Sequence, residues 1–135
     1  MPAIIRGRIV YSKIAIPDPQ GRNPKPSRPF VVISHDEDIK NLDHVQAVGI
    51  TGELRESPDE YYVEWAWGPA AKAGLKQKSA ALCSWRIEIP KAQLDVGKGF
   101  VRADLVDEIY AKVLQLNAKL STRHEDQFRH STLQP

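Results

Sequence analysis

Two polar residues in the first half of the chain have the chemistry to hold a phosphate group. Arg28 directly precedes Pro29, which favours an extended backbone at Arg28 and gives a long cation a fixed base before the next strand. Its guanidinium is always charged and presents a planar fork to two oxygens. Thr51 ends another predicted strand, where its hydroxyl could bond the same phosphate. From the residues alone, two simpler alternatives stay open: Arg28 pairs with the acids at 36–38, and Thr51 is an ordinary strand residue.

The segment that leads to Arg28 is a proline-rich, basic loop. Residues 17–29 contain five prolines, too many for a helix, together with Arg22 and Lys25. The two cations could follow a phosphate backbone, or they could belong to a solvated turn. Asp18 lies in an Asp-Pro turn, where a carboxylate more often caps its own backbone than binds a ligand. The sequence therefore predicts a semi-rigid loop that presents positive charge beside Arg28.

The composition limits the class of protein. At 135 residues and 41% hydrophobic content the chain is long enough for one core, and we expect one domain. Nineteen basic residues against 17 acidic ones give a net charge of +2, which argues against blanket electrostatic binding of duplex DNA. The single cysteine, Cys83, cannot form an intramolecular disulfide and is expected to be buried and inert.

The same sequence favours a cytoplasmic protein. The N-terminal residues lack the apolar region of a signal peptide. No window approaches the roughly 18 consecutive apolar residues that cross a bilayer. We therefore expect no membrane role.

Most of the chain carries the period of β-strands. Apolar runs bounded by turn residues predict five strands, at residues 4–16, 30–34, 44–51, 60–67 and 79–89. The run at 30–34 is apolar almost throughout, which is typical of a strand buried on both faces at the centre of a sheet. Residues 35–38 are predicted to form an acidic turn.

One helix is predicted near the end of the chain. Over residues 103–120, apolar residues recur at three- and four-residue intervals and form one stripe. Residues 121–135 are polar and lack this period, so we expect a tail there that is disordered or ordered only by a neighbour. The prediction is a single domain over residues 1–120 that is mainly β with a C-terminal helix, built as a small, partly closed barrel.

Three blocks of the sequence occur in an order that is typical of a known family. The first is Asp18-Pro19-Gln20-Gly21, a basic spacer, Arg28-Pro29 and the apolar run that ends at Ser34. The second is Ala47-Val48-Gly49-Ile50-Thr51. The third contains Gly74-Leu75, the strand with Cys83 and Trp85, a glycine turn at Gly99-Phe100-Val101 and the helix from Leu105. Across these blocks, which cover most of residues 4–118, the chain resembles the MazF/PemK family of toxin endoribonucleases.

The resemblance implies a fold and an activity. The implied fold is a small SH3-like barrel of the MazF/PemK/CcdB type that forms a homodimer. The implied activity is cleavage of single-stranded RNA without metal or cofactor, in which the 2′-hydroxyl attacks and a 2′,3′-cyclic phosphate is left. The implied partners are RNA and an antitoxin protein whose disordered segment occupies the RNA groove. With the resemblance, Arg28 and Thr51 become the catalytic pair, and Arg22, Lys25 and Asp18 become the RNA-binding residues.

The sequence does not assign the general base of such a reaction. Some relatives place an acidic residue just before the Arg-Pro pair, whereas residues 23–27 of this chain carry no acid. His35 and Glu53 lie close in sequence to the two catalytic candidates and are the reserve acid–base groups, although each is more simply an incidental residue.

The aromatic residues of the predicted strands have two possible roles. Tyr61, Trp65 and Trp67 share one face of a predicted strand and could stack exposed bases, although alternating aromatics more often form a core or a dimer interface. Trp85 is likewise expected to serve packing.

The function also has alternatives. The protein could be a toxin of the same fold that binds another protein without catalysis, as gyrase inhibitors do, or a degenerate member that binds only RNA or antitoxin.

Overall fold

The fold is an antiparallel β-sheet followed by one long helix. The computed structural model describes residues 3–52, 62–65 and 79–133, with side chains described as far as residue 118 except at 64 and 65. The strands in these ranges are β1 (Arg8–Ser12), β2 (Pro29–Val32), β3 (His44–Thr51), β4 (Tyr62–Trp65), β5 (Ser79–Pro90) and β6 (Leu94–Phe100). Helix α1 is Asp36–Asn41 and helix α2 is Ala103–Leu133, while a 3-10 turn at Lys91–Gln93 joins β5 to β6.

The order of the strands places β2 and β3 inside the sheet. Neighbouring strands pair antiparallel in the order β4-β5-β3-β2-β1-β6. Phe30, Val31 and Val32 of β2 are all fully buried, as the continuous apolar run predicts. Strand β3 has the predicted bounds, and β5 begins at the predicted residue. The mainly β architecture with a closing C-terminal helix is therefore confirmed.

Two local predictions are wrong for identifiable reasons. Residues 36–41 form helix α1 instead of a turn, with three acids in its first turn and Lys40 in its last, an arrangement that suits the helix dipole. Strand β6 runs to Phe100 and so includes Gly99 and Phe100 of the predicted glycine turn at Gly99-Phe100-Val101. Within this strand, a Cβ at Gly97 would lie 2.8 Å from the carbonyl oxygen of Ile9, so Gly97 permits close packing of β6 on β1.

The sheet buries apolar side chains on both faces, because successive side chains along each strand point to alternate faces. One cluster contains Ile9, Val31, Val48 and Ile50 and packs against the apolar stripe of α2. The other contains Val10, Phe30, Val32 and Ala47, with Trp85 packed against it. Successive residues of each strand thus point to opposite cores, as the two-residue period requires. The prediction that Cys83 is buried is confirmed, since it is 1% exposed in the first cluster.

A large bulge separates two regular stretches of the β3–β5 pairing. Val48 pairs with Arg86, whereas Ile50 pairs with Ala81. One residue of β3, Gly49, therefore faces four residues of β5, from Leu82 to Trp85. Such an insertion bends the strand and re-aims its side chains.

Helix α2 begins where predicted but does not end there. It starts at Ala103 and continues to Leu133, so the backbone of residues 121–133 is helical, whereas the polar sequence predicts a disordered tail from residue 121. The reason is that residues 103–133 contain neither glycine nor proline and are rich in residues with good helix propensity. Leu105, Ile109 and Val113 are buried against the sheet, which confirms the predicted stripe. In the described ranges, no helix is long and apolar enough to cross a membrane.

Candidate functional site

Four of the residues that the sequence singles out lie together in one groove at the end of the sheet. The groove has a volume of about 680 Å³ and lies where the proline loop meets the start of β2 and the end of β3. Its lining consists of Asp18, Pro19, Gln20, Asn23, Lys25, Arg28, Pro29, Ile50, Thr51, Gly52, Leu82 and Trp85. Four of the predicted site residues, Asp18, Lys25, Arg28 and Thr51, therefore lie together.

The pairing of β2 with β3 explains why Arg28 and Thr51 meet. In this antiparallel pair Phe30 lies opposite Gly49 and Val31 opposite Val48. The start of β2 therefore lies beside the end of β3. Continuing the same register by two residues places Arg28 across from Thr51. Both side chains are partly exposed at this end of the sheet.

The guanidinium of Arg28 is held by the loop that precedes it. Its Nε donates to the carbonyl oxygen of Ile16 at 2.7 Å, and its Nη2 donates to the carbonyl oxygen of Asn23. The backbone N–H of Arg28 donates to Oγ of the buried Ser12 at 3.3 Å. These partners lie on the loop side of the residue, so the structure does not support the alternative in which Arg28 pairs with the acids at 36–38.

Asp18 folds the proline loop upon itself. Its Oδ1 accepts hydrogen bonds from the backbone N–H groups of Arg22 at 2.8 Å and Gln20 at 3.0 Å, and its Oδ2 accepts one from Nδ2 of Asn23 at 3.3 Å. The hydrogen bond from the Arg22 backbone is the main cause that lowers the pKa of Asp18, and the charge of Arg28 adds to it. Asp18 thus caps its own backbone, the interpretation that the sequence favours.

The loop is an ordered hairpin that carries the basic residues. Ile16 and Lys25 exchange two backbone hydrogen bonds, of 2.9 and 3.1 Å. The tight path needs left-handed backbone at Gly21, Asn23 and Ser27, with φ values of 80°, 51° and 60°. Lys25 reaches the groove lining, whereas the exposed Arg22 does not. The predicted semi-rigid loop therefore brings one of its two cations to the groove.

Trp85 forms part of the groove although the sequence assigned it only to packing. Its ring packs against Phe30, with ring centroids 5.2 Å apart, so the packing prediction is confirmed. The same ring also lines the groove, and Cζ of Arg28 lies 5.8 Å from its centroid. The sequence feature that could have indicated a role in the groove is that residue 85 is aromatic. Its position depends on the β5 bulge, which no periodicity in the sequence marks.

Among the remaining candidates, the structure describes the side chain of His35, which does not line the groove. Nε2 of His35 lies 3.1 Å from the hydroxyl of Tyr110 on α2, and their rings meet edge to face with centroids 4.9 Å apart. Glu53, Tyr61 and Trp67 lie outside the described residues, as does the side chain of Trp65. His35 is thus placed as a packing partner of the helix.

The chemistry of the groove is that of an anion site. Arg28 and Lys25 supply positive charge, the Asp18 carboxylate is occupied by loop N–H groups, and Thr51 adds a hydroxyl. Within the part of the chain that the structure describes, no group of three or more His, Cys, Asp or Glu side chains could hold a metal ion. The arrangement can bind a phosphate between a fixed guanidinium and a hydroxyl.

Solved structures with the same fold come from toxins and endoribonucleases. MazF from Deinococcus radiodurans superposes with a TM-score of 0.63 at 16% identity, covering 87% of this chain and 99% of that one. A mycobacterial endoribonuclease in complex with its cognate antitoxin gives a TM-score of 0.61 at 17% identity, covering 84% and 93%. The Mycobacterium tuberculosis toxin MazF-mt6 gives 0.55 at 21% identity, covering 74% and 90%. At these identities the likeness shows the fold alone.

The sequence itself carries the stronger evidence of relationship. No curated protein sequence matches the chain. The family model of PemK-like, MazF-like toxins matches residues 5–116, which include the proline loop, β2, β3 and the start of α2. The chain therefore belongs to the PemK-like, MazF-like toxins of type II toxin–antitoxin systems.

Proposed function

We propose that this protein is an endoribonuclease that cuts single-stranded RNA in the groove formed by the proline loop, β2 and β3. The observation that carries the proposal is the placement of Arg28 and Thr51 in one groove, with the guanidinium held by two loop carbonyl groups. Membership of the toxin family and the fold shared with endoribonucleases support it.

The reaction needs few protein groups because RNA carries its own nucleophile. The 2′-hydroxyl attacks the adjacent phosphorus, the bond to the 5′-oxygen of the next nucleotide breaks, and a 2′,3′-cyclic phosphate is left. Negative charge grows on the phosphate oxygens as this happens, and a pre-positioned cation stabilises it. We assign that role to Arg28.

Arg28 keeps hydrogen-bonding capacity for this role. Its described side-chain hydrogen bonds use Nε and Nη2, and among the described residues Nη1 has no hydrogen-bond partner. Thr51 across the groove orients the phosphate or the 2′-hydroxyl. Lys25, and Arg22 beyond it, guide the flanking backbone of the RNA. Asp18 contributes by folding the loop.

The general base stays open within this proposal. His35 is bonded to Tyr110 and does not line the groove. Glu53 follows the groove residues Thr51 and Gly52 directly in sequence and stays a prediction. The proposal needs no metal ion, because the RNA supplies the nucleophile and Arg28 supplies the cation.

We further propose that the active protein is a cytoplasmic homodimer neutralised by a separate antitoxin chain. A structural relative is a mycobacterial endoribonuclease in complex with its cognate antitoxin. An antitoxin segment that enters the groove would compete with RNA for Lys25 and Arg28, so an acidic segment suits it best.

The test is the cleavage rate of three variants on one RNA. Arg28→Ala should lower the turnover number by about a hundredfold or more, as loss of a charge-stabilising donor does. Thr51→Ala should lower it by roughly tenfold, the loss of one hydrogen bond of about 1.4 kcal/mol. Arg102→Ala is the matched control, because Arg102 pairs with Asp104 away from the groove.

The result separates catalysis from simple binding. An Arg28→Ala variant that is folded and cuts at the wild-type rate would contradict the proposed role of Arg28. Folded wild-type protein, freed of antitoxin, that binds RNA or a protein target but leaves RNA uncut would instead indicate a non-catalytic member of the family.

A further inference from the structure

The Trp85 ring packs in a space that exists only because residue 49 is glycine. A Cβ built on Gly49 would lie 1.8 Å from Cε3 and 2.3 Å from Cδ2 of the Trp85 ring. These are atoms of a rigid ring system, so any side chain at residue 49 must push the ring away. The ring therefore lies directly on the backbone of β3, at the position where one residue of β3 faces four of β5.

A second aromatic residue fixes the ring from another direction. Phe30 lies opposite Gly49 in the β2–β3 pairing and is fully buried. Its ring centroid is 5.2 Å from that of Trp85, with the planes inclined by 60°. Such tilted pairs are a favourable aromatic arrangement. Gly49 and Phe30 together thus define where the indole sits.

The fixed indole lies beside the guanidinium that handles the phosphate. Cζ of Arg28 is 5.8 Å from the ring centroid, within the roughly 6 Å over which an aromatic face attracts a cation. The loop carbonyl groups hold Nε and Nη2 of Arg28, and the indole forms a wall of the same groove. The guanidinium is therefore confined between the loop and the ring.

We propose that Trp85, packed against Gly49, is a positioning residue that holds the Arg28 guanidinium in line with the scissile phosphate of RNA. This inference rests on the proposed ribonuclease function and extends it to two residues that do not themselves act on the phosphate. Gly49 acts only through Trp85, and Trp85 acts through Arg28. A wall residue that served packing alone would affect stability and leave the turnover of the folded enzyme unchanged.

The kinetic test compares Trp85→Leu, Trp85→Phe and Gly49→Ala. Trp85→Leu keeps apolar bulk but removes the aromatic face, and Trp85→Phe keeps a smaller face. We expect Trp85→Leu to lower kcat about tenfold with KM within about twofold, and Trp85→Phe to retain at least about a third of kcat. Gly49→Ala should resemble Trp85→Leu because the new methyl group displaces the ring.

A double variant separates one shared mechanism from two independent ones. If Gly49 acts through Trp85, then Gly49→Ala combined with Trp85→Leu should lose no more activity than the worse single variant. A loss equal to the product of the two single losses would overturn the proposal. All rates are taken per folded protein, measured by thermal unfolding of each variant.

A spectroscopic test does not depend on cleavage. The Nε–H of Arg28 donates to Ile16 and lies beside the indole, so it should give a slowly exchanging, ring-shifted ¹H–¹⁵N signal, assigned by its absence in Arg28→Lys. The signal should persist in Trp85→Phe and move to the position of exposed arginines in Trp85→Leu and Gly49→Ala.

The two readouts distinguish failure of the inference from failure of the function. Wild-type cleavage that Arg28→Ala abolishes and Trp85→Leu leaves intact would overturn only the role of Trp85. Wild-type protein that cuts no RNA would refute the proposed function, and the Arg28 signal would then decide the positioning by itself. An unchanged Arg28 signal in Trp85→Leu would overturn the positioning in either case.

Discussion

At the scale of single residues, the groove depends on how two charged side chains use the backbone around them. Arg28 donates to carbonyl oxygens of Ile16 and Asn23, and Asp18 accepts from backbone N–H groups of Gln20 and Arg22. Both side chains therefore stabilise the same loop, Arg28 as a donor to its carbonyl groups and Asp18 as an acceptor from its N–H groups. The loop in turn holds the guanidinium at the groove.

Asp18 gives this arrangement a testable dependence on pH. Hydrogen bonds from the loop, first among them the one from the Arg22 backbone, lower the pKa of Asp18. A carboxyl whose pKa is lowered in the folded state stabilises that state above its ordinary pKa of about 3.9 and loses this effect as pH falls through the lowered value. The loop should therefore be ordered at neutral pH and loosen below about pH 4.

The measurement is the amide exchange rate of Arg22 in wild type, Asp18→Asn and Asp18→Ala. Asparagine keeps an acceptor oxygen but cannot titrate, so protection of the Arg22 amide should survive at neutral pH and lose its acid-induced decrease. Alanine should lose the protection at every pH. Equal protection in wild type and Asp18→Ala at neutral pH would show that the carboxylate does not hold the loop.

At the scale of elements, the strand pairing decides which predictions succeed. The apolar run of β2 and the alternation of β3 are visible in the sequence, and antiparallel pairing of the two is enough to bring Arg28 to Thr51. The position of Trp85 could not be derived in this way, because it follows from a bulge in which Gly49 faces four residues. Periodicity shows that strands exist and does not show where their register slips.

Strand β6 was missed because Gly99, near its end, is of a residue type that is typical of turns. Gly97 lies where a Cβ would be 2.8 Å from the Ile9 carbonyl oxygen and 2.9 Å from Cε2 of Tyr11. The end of α2 was missed for the opposite reason, since a polar segment without an apolar stripe continues a helix when nothing in it breaks one. The close approach that pairs β6 with β1 is not visible in the sequence, whereas the continuous helix follows from the absence of glycine and proline in residues 103–133.

The close approach at Gly97 predicts a stability effect. In Gly97→Ala the new methyl group meets the backbone of β1, which cannot move aside as a flexible side chain can. We expect the free energy of unfolding to fall by about 1–3 kcal/mol, as overpacking typically causes. Lys98→Ala, at the exposed neighbouring position of β6, is the control and should change stability by no more than about 0.5 kcal/mol. Chemical denaturation of both variants measures this, and equal midpoints would contradict the packing account.

At the scale of the whole molecule, a sheet with cores on both faces and a helix packed on one of them leaves one end open for the groove. The net charge of +2 is small, so the proposed function assigns attraction for RNA to the local cations Arg28, Lys25 and Arg22 rather than to the whole surface. In this proposal the fold supplies the scaffold and a few residues of one groove supply the chemistry.

The most direct test of the account is the chemical nature of the RNA ends that the protein produces. Purified protein free of antitoxin is incubated with a long single-stranded RNA in excess EDTA, and the 3′ ends of the fragments are analysed. We predict discrete cuts that end in 2′,3′-cyclic phosphate and that disappear when a 2′-deoxynucleotide precedes the scissile phosphate. Cuts that require a divalent metal, or that persist at the 2′-deoxy position, would contradict it.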